Sequence, residues 1–292
     1  MSAQDEKRFR AALVQLRAGR AIEPNVDQAE ALIRKAAAGG AVYVQTPENT
    51  ALMELEPDRV FALVQPEAES VPLARLTALA AELGVWLHVG SLGVKLDESR
   101  VANRSYLIDP HGEIVARYDK LHMFDVDLAG GESYRESKYY GPGSKAVIAD
   151  LPFGRLGMSI CYDLRFPSLY RALATAGANL IAVPAAFTKQ TGQAHWHVLV
   201  RARAIETGAF VLAATQGGMH ENGRQTFGHS MIVSPWGEIL AEAGEDPGVV
   251  FADIDMAASE EARARIPSLK HGRDFDLEIA EHRSTLKRKE AS

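Results

Sequence analysis

The chain has 292 residues, 47% hydrophobic and 24% charged, which is the balance of an ordinary globular protein. Its formal net charge is −6 and it has no stripe of Lys and Arg interleaved with aromatic residues, so we do not expect it to bind nucleic acid. No run approaches the ~18 apolar residues of a membrane span, and the polar start lacks a signal-peptide core, so we expect a cytoplasmic protein without a membrane partner.

The first third of the chain alternates between two patterns. Short apolar runs bounded by turn residues predict strands, and apolar residues spaced three and four apart predict helices. Asn25 is expected to cap the first helix, and Gly39 and Gly40 to end it. In chain order the predicted elements are strand 8–16, helix 25–38, strand 41–45, helix 72–83 and strand 85–90.

The rest of the chain adds hairpins, whose turns are Asp109-Pro-His-Gly112, Pro152-Phe-Gly154 and Pro235-Trp-Gly237. Strands are predicted at 104–108, 114–118, 146–151, 155–161, 180–184, 210–215, 230–234, 238–242 and 249–255, and helices at 167–177 and 195–207. Strands and helices in this order predict a layered α/β architecture with two sheets. No linker or repeat divides the chain, so we expect one domain over 1–292, with a regular part at about 8–270 and a charged tail at about 270–292.

Cys161 is the single cysteine and cannot form an intramolecular disulfide. A lone cysteine is more often an inert core residue than a nucleophile. Its position where a strand gives way to a helix favours an anion, because the first N–H groups of a helix have no internal partner. The N–H of Tyr162 is then the natural donor to an oxyanion. Ser159 is a rival nucleophile, because Gly157-Met-Ser159-Ile-Cys161 resembles a nucleophile elbow that lacks its last glycine.

Two charged residues follow other predicted strands. Glu48 comes after strand 41–45, and Lys120 comes after strand 114–118. Each by itself would be a solvated surface charge. Because the carboxyl ends of parallel strands meet at one edge of a sheet, Glu48 is a candidate base for a thiol at that edge.

Three segments together resemble the signature segments of the nitrilase superfamily. They are Pro47-Glu48, Tyr118-Asp-Lys120-Leu-His-Met-Phe and Ile160-Cys161-Tyr-Asp-Leu-Arg-Phe-Pro, and they occur in the order found in that family. The resemblance continues through Arg135-Glu136-Ser137 and through 194–196, 201–206 and 228–237, so it covers nearly the whole chain. Thr46 departs from the aromatic or apolar residue common before Pro47, and we expect it to change the pocket wall.

The resemblance implies a four-layer α-β-β-α sandwich that pairs across its helices as a homodimer or higher homo-oligomer. It also implies cysteine-dependent hydrolysis of a small linear amide through a thioester, without a cofactor. Cys161 would be the nucleophile and Glu48 the base. Lys120 and the Tyr162 amide would stabilise the oxyanion, and Glu136 would align the site and assist the nitrogen of the substrate.

Within the superfamily, the residues around Cys161 most resemble the branch of the deaminated glutathione amidases. The omega-amidases, which act on 2-oxoglutaramate, are second. Both substrates carry carboxylates, so Arg165 is a candidate to bind one, with Phe187, Thr191 and His195 as further substrate-binding candidates. An ion pair of Arg165 with Asp163 or Glu206 is an equally open interpretation.

A metal site is not expected. His195 and His197 lack the i, i+4 spacing of a helical zinc pair, and no Cys or acidic ligand accompanies them. Arg201 and Arg203 are expected to be structural. A non-catalytic binding protein of the same fold is a further alternative, which the intact set of Glu48, Lys120, Glu136 and Cys161 argues against. The sequence leaves open whether His220 and the loop 221–224 enclose the site.

Overall fold

A computed structural model describes residues 7–128 and 131–280 of the chain. The elements of the first half are β1 (Arg8–Gln15), α1 (Ile22–Ala38), β2 (Tyr43–Gln45), α2 (Pro57–Leu63), α3 (Val71–Leu83), β3 (Trp86–Lys95), β4 (Val101–Ile108), β5 (Ile114–Asp119), β6 (Asp125–Asp127) and β7 (Ser133–Arg135). Those of the second half are β8 (Ile148–Leu151), β9 (Gly154–Met158), α4 (Pro167–Thr175), β10 (Leu180–Ala182), α5 (Lys189–Thr207), β11 (Phe210–Ala213), β12 (Gly217–Met219), β13 (Gln225–Phe227), β14 (Met231–Val233), β15 (Ile239–Glu242), β16 (Gly248–Asp255) and α6 (Ala257–Arg265).

The first large sheet has the strand order β16-β1-β2-β3-β4-β5. Strands β1, β2 and β3 are parallel, and two antiparallel pairings then turn β5 back to the direction of β2. Helices α1 and α3 cover its outer face, where Ile33 and Leu76 pack in one buried cluster with Val14 and Leu87 of the strands. Each fully buried Leu or Ile stabilises the fold by roughly 1.5–3 kcal/mol through removal from water.

The second large sheet has the order β15-β14-β11-β10-β9-β8, with β9, β10 and β11 parallel. Tyr170 of α4 and Trp196 of α5 are fully buried in the cluster that also contains Leu156 and Ile181 of this sheet. Helices α4 and α5 therefore cover its outer face.

The inner faces of the two sheets pack against each other. Phe9, Leu13 and Tyr43 of the first sheet belong to the same buried cluster as Leu156 and Ile181 of the second. The layers thus run helix, sheet, sheet, helix, and the predicted α-β-β-α sandwich is confirmed.

Several local predictions were wrong. Helix α1 begins at Ile22, and Asn25 is a buried residue inside it, whose Oδ1 accepts from the N–H of Gly19 at 2.6 Å and whose Nδ2 donates to the Ala51 carbonyl at 2.9 Å. The side chain joins two loops and does not cap the helix. The strand predicted at 155–161 ends at Met158. Helices α2 and α6 and the small hairpins β6–β7 and β12–β13 were not predicted.

Residues 271–280 of the predicted charged tail carry no helix or strand and are exposed, and the tail beyond them lies outside the described residues. Among the described residues, no helix is both long enough and apolar enough to cross a membrane.

Candidate active site

Three of the predicted site residues follow strands that end at the same rim of the sandwich. Glu48 follows β2, Lys120 follows β5, and Cys161 follows β9. Glu48 and Lys120 reach the same rim because β5 runs parallel to β2. A backbone bridge between Leu16, just after β1, and Gln216, just after β11, links the two sheets near this point.

Lys120 lies between two carboxylates. Its Nζ donates to Oε1 of Glu48 at 2.9 Å and to both oxygens of Glu136 at 2.8 and 3.0 Å, and only 2% of its side chain is exposed. Burial lowers the pKa of Lys120, but the charges of Glu136 and Glu48 outweigh it and raise that pKa well above its ordinary value. Burial raises the pKa of Glu48, but the charge and hydrogen bond of Lys120 outweigh it and lower that pKa. Both groups are therefore charged at neutral pH.

Cys161 begins a 3₁₀ turn with a φ of 48°, a left-handed conformation that costs a residue with a Cβ roughly 1–2 kcal/mol. Its thiol lies near the Glu48 carboxylate and the Ala186 N–H, and both act on its pKa. Burial, followed by the charge of Glu48, raises the pKa of the thiol well above its ordinary value, although Lys120 and Ala186 oppose this. The resting thiol is thus protonated and lies against a carboxylate that can take its proton.

Asp163 holds this turn in place from below. Its carboxylate accepts from the Ile160 N–H at 2.9 Å and from the Tyr118 hydroxyl at 2.6 Å, and it lies 2.7 Å from His122 Nδ1. Three partners leave Asp163 fully engaged, so it does not pair with Arg165.

Glu206, the other carboxylate considered for Arg165, accepts instead from Nη1 of Arg203 at 2.7 Å. The ion-pair interpretation of Arg165 was therefore wrong. Arg203 also donates from Nε and Nη2 to the Leu164 carbonyl at 3.0 and 2.8 Å, and Arg201 donates to the Gly237 carbonyl at 2.8 Å. The expectation that Arg201 and Arg203 are structural is confirmed.

The loop that carries Glu48 is held by buried polar contacts. Nε2 of Gln216 donates to the Glu48 carbonyl at 3.0 Å, and the N–H of Gly90 donates to Oγ1 of Thr46 at 3.0 Å. A Cβ at position 90 would lie 2.1 Å from the Thr46 carbonyl oxygen, so this close approach requires glycine. Thr46 is fully buried and does not line the cavity described below, so the expectation that it changes the pocket wall was wrong.

A cavity of about 380 Å³ opens above the thiol. The predicted site residues that line it are Glu48, Lys120, Glu136, Cys161, Tyr162, Arg165, Phe187 and Thr191. His195 does not line it; its Nδ1 lies 3.3 Å from both terminal nitrogens of Arg165. The Arg165 guanidinium also lies 5.3 Å from the centre of the Phe187 ring, so His195 and Phe187 both fix its orientation.

Sequence reasoning missed several polar residues of the site, among them Asn103 and Arg224. Asn103 of β4 donates from Nδ2 to Glu48 at 2.9 Å and to Glu136 at 3.4 Å, which ties the two carboxylates together. Asparagine is depleted in strands, and that was a usable indication. Arg224 also lines the cavity, and no local pattern indicated it.

His220, by contrast, is buried and bonds the Ala18 carbonyl and Thr226. In the segment 220–224 the cavity wall therefore includes Arg224 and not His220.

Ser159, the rival nucleophile, lies in the interior. It is fully buried, donates to the Ala182 carbonyl at 2.7 Å, and shares a hydrogen bond of 2.8 Å with the Tyr170 hydroxyl. Ser159 does not line the cavity, which argues against a serine mechanism.

His197 does have an acidic companion, contrary to the sequence-based argument. His197 Nε2 and His229 Nδ1 lie 2.8 and 2.7 Å from the same oxygen of Glu242, and the three possible ligand atoms lie within 4.8 Å of one another. None of the three residues lines the cavity. The group lies apart from the thiol and its partners.

Comparisons with known proteins agree with this geometry. The profile of the carbon–nitrogen hydrolase family matches residues 10–264. The chain is 42% identical over 274 residues to a deaminated glutathione amidase of Yersinia enterocolitica, which covers 91% of this chain and 94% of that one. The structure of the present chain is similar to that of the C. elegans NitFhit protein, with a TM-score of 0.86 and 35% identity. The match covers 91% of this chain and 65% of that longer one.

A third similarity concerns the cysteine. A mutant amidase from Nesterenkonia sp. AN1, whose structure shows Michael addition of acrylamide at the active-site cysteine, has a TM-score of 0.75 and 28% identity over 89% of this chain and 98% of that one. The family profile spans most of the chain, and these similarities agree with it on the family. The chain belongs to the carbon–nitrogen hydrolase family, as its resemblance to the nitrilase superfamily predicts.

Proposed function

We propose that this hydrolase cleaves a small linear amide, in the first place deaminated glutathione, through a thioester formed on Cys161. The observation that carries the proposal is the buried Cys161 thiol, which lines the cavity together with the Glu48 carboxylate that Lys120 binds. The relative from Y. enterocolitica, which is named for this activity, supports the choice of substrate.

In the first half of the reaction, Cys161 Sγ attacks the amide carbon while Glu48 accepts the thiol proton. The Lys120 ammonium and the Tyr162 N–H stabilise the resulting oxyanion, and a good oxyanion donor contributes about 3 kcal/mol. When the C–N bond breaks, the leaving nitrogen takes the proton from Glu48 and departs as a neutral amine.

In the second half, Glu48 deprotonates a water molecule that attacks the thioester carbon. The C–S bond breaks, the thiolate recovers a proton, and the carboxylic acid product leaves. Glu136 holds Lys120 throughout, because one of its oxygens accepts from both Lys120 and the Phe124 N–H, at 2.8 and 2.6 Å. Its carboxylate also lies in the cavity, where it can receive the nitrogen of the substrate.

Arg165 is proposed to bind the carboxylate of the 2-oxo acid part, with Phe187 and Thr191 on the same wall and His195 positioning its guanidinium. The same acyl part occurs in 2-oxoglutaramate, the substrate of an omega-amidase. That amide differs in its leaving group, which is ammonia instead of cysteinylglycine.

We further propose a homodimer in the cytoplasm. On the outer helix α5, Val198 is 68% exposed and Ile205 is 54% exposed. Trp236, which lines the same surface groove as Ile205, is 51% exposed. These side chains form apolar surface that a second copy of the chain can cover. A single cysteine without a disulfide partner fits a reducing compartment.

The test compares wild type with Cys161→Ala and Ser159→Ala. Release of cysteinylglycine from deaminated glutathione and of ammonia from 2-oxoglutaramate is measured for each protein. We expect turnover by the wild type, loss of turnover in Cys161→Ala, and retention within about threefold in Ser159→Ala, whose hydroxyl makes only internal hydrogen bonds. Turnover that survives in Cys161→Ala would exclude the cysteine mechanism.

A further inference from the structure

Two guanidinium groups, those of Arg165 and Arg224, line the same cavity. In the described part of the chain, Arg165 bonds only His195, and Arg224 bonds only the Ala186 carbonyl and the Met53 sulfur. Neither set of partners contains a carboxylate. Arg104 shows the contrasting arrangement, with Asp119 at 2.6 Å and Glu67 at 2.8 Å. The cavity therefore presents two cations whose charges are not matched by a hydrogen-bonded acid.

Arg224 stands at the tip of the hairpin formed by β12 and β13, and this tip is fixed. The N–H of Arg224 donates to Oδ1 of Asn222 at 3.0 Å, and the N–H of His220 donates to the Arg224 carbonyl at 2.9 Å. Nδ2 of Asn222 in turn donates to the Met53 carbonyl at 3.0 Å. The guanidinium is thus held in place before any ligand arrives, which lowers the entropy cost of binding one.

The donors of Arg224 are only partly used. Nη2 donates to the Ala186 carbonyl at 2.5 Å, and Nη1 has only the Met53 sulfur at 3.8 Å, which is a weak acceptor. Nε is buried and has no partner in the structure. The unpaired Nε and the weakly bonded Nη1 leave the guanidinium short of acceptors, and because the side chain lines the cavity, a bound ligand can supply one to Nη1. A carboxylate matches the planar fork of the guanidinium best.

The two arginines lie toward different parts of a bound amide. Arg165 belongs to the same 3₁₀ turn as Cys161. The sulfur of Cys161 forms the bond to the acyl carbon, so Arg165 lies on the side of the acyl part. Arg224 belongs to a different element, the β12–β13 hairpin, and its guanidinium lies 5.3 Å from the centre of the Tyr134 ring. Tyr134 stands two residues before Glu136, the carboxylate that receives the nitrogen of the substrate, and both line the cavity. Arg224 is thus on the side of the amine part of the substrate.

We propose that Arg224 binds a carboxylate on the leaving amine, so that the enzyme selects amides that carry one carboxylate on each side of the scissile bond. The inference rests on the proposed amide hydrolysis at Cys161 and extends it to the substrate class. Cysteinylglycine ends in such a carboxylate and ammonia does not, so Arg224 separates deaminated glutathione from 2-oxoglutaramate.

The experiment measures kcat/KM for three substrates with wild type, Arg224→Met, Arg224→Lys and Arg17→Met. The substrates are deaminated glutathione, its analogue with the glycine carboxylate replaced by a primary amide, and 2-oxoglutaramate. Arg17 is the matched control, because it bonds the Gly217 carbonyl of the same hairpin and does not line the cavity. Alkylation of Cys161 by iodoacetamide reports on the integrity of the site, since Cys161 is the single cysteine.

For Arg224→Met we expect a loss on the order of 100-fold with deaminated glutathione, as for a hydrogen bond between charged groups, and less than about fivefold with the other two substrates. In the wild type, removal of the glycine carboxylate should cost a similar factor, and Arg224→Lys should recover part of the activity. The kcat/KM of Arg17→Met should stay within about threefold of the wild type for every substrate. The rate of Cys161 alkylation should also change less than about threefold in each variant.

Equal losses on all three substrates, together with slower alkylation, would overturn the inference, because Arg224 would then only position Ala186 and its N–H. Equal turnover of deaminated glutathione and its amide analogue by the wild type would overturn it even if Arg224→Met failed to fold. Wild-type protein that turned over none of the three would refute the proposed function itself, and the inference with it.

Discussion

Lys120 decides the charge state of the site, because it is the buried cation that Glu48 and Glu136 share. In Lys120→Met, Glu48 loses the group that lowers its pKa, while burial continues to raise that pKa. We expect kcat to fall by about 10²–10³, as for the loss of one oxyanion donor. The acid limb of the pH profile of kcat/KM should also move to higher pH, because a base with a higher pKa is ionised only at higher pH.

The measurement is a pH–rate profile of the wild type and of Lys120→Met, with thermal unfolding to confirm that the variant folds. Lys35→Met serves as a charge control, since Lys35 is exposed in α1 and does not line the cavity. An acid limb that stayed in place in Lys120→Met would mean that Glu48 is not the titrating base.

At the scale of elements, the loop between β2 and α2 carries Glu48 and is held by Glu54. The Glu54 side chain is 1% exposed, and it accepts from Nε of Arg20 at 2.8 Å and of Arg59 at 2.9 Å. Burial raises the pKa of Glu54, but these two arginines and two backbone N–H groups outweigh it and lower that pKa to about 2. The carboxylate therefore stabilises the fold above its unfolded pKa of 4.5, and this stabilisation is lost as the pH falls toward 2.

We accordingly expect Glu54→Gln to lower the free energy of unfolding at pH 7 by about 2–3 kcal/mol, because it leaves two arginines without their shared charge. The difference from the wild type should shrink when the pH falls below 4.5. Urea unfolding at pH 7 and pH 3 measures it, with Glu98→Gln as control, since that carboxylate is 93% exposed and its ion pair contributes little. A difference independent of pH would show that Glu54 acts by packing and not by charge.

The sequence indicated the elements that depend on local pattern and missed those that depend on distant contacts. Apolar runs placed the strands that end before Glu48 and Lys120, because a buried strand needs such a run wherever it lies in the fold. Arg224 could not be assigned to the site, since its place there depends on Ala186 and Met53, which are remote in the chain. The capping role given to Asn25 failed for the same reason, because Ala51 uses that side chain.

At the scale of the whole molecule, we propose that residues from about 8 to 270 form one folding unit. The cluster that joins the two sheets includes residues from Phe9 to Met256, so neither half of the chain has a separate interior. Two buried histidines connect parts of this unit. His88 lies 3.0 Å from the Tyr43 hydroxyl and 2.7 Å from Ser105 within the first sheet, and His220 ties the β12–β13 hairpin to the Ala18 carbonyl.

Both histidines are held neutral. Burial lowers the pKa of His88 to about 3, and it lowers that of His220 to about 4 although the Ala18 carbonyl opposes it, against an ordinary value of 6.5. Below pH 6.5 the unfolded chain binds protons that the folded chain does not, so stability is present above this pH and is lost as the pH falls. At pH 5 each histidine lowers the free energy of unfolding by roughly 2 kcal/mol relative to its value above pH 6.5.

We therefore expect the urea midpoint of the wild type to fall between pH 7 and pH 5. His88→Gln should be less stable at pH 7, since the imidazole bonds two neighbours, but its stability should fall by roughly 2 kcal/mol less over that interval. His111→Gln removes an exposed histidine from the turn before β5, and its stability should fall between pH 7 and pH 5 by as much as that of the wild type, that is, with the same slope against pH. If His88→Gln also kept that slope, His88 would have to bind a proton in the folded protein, and a charged imidazole beneath Tyr43 is incompatible with full burial there.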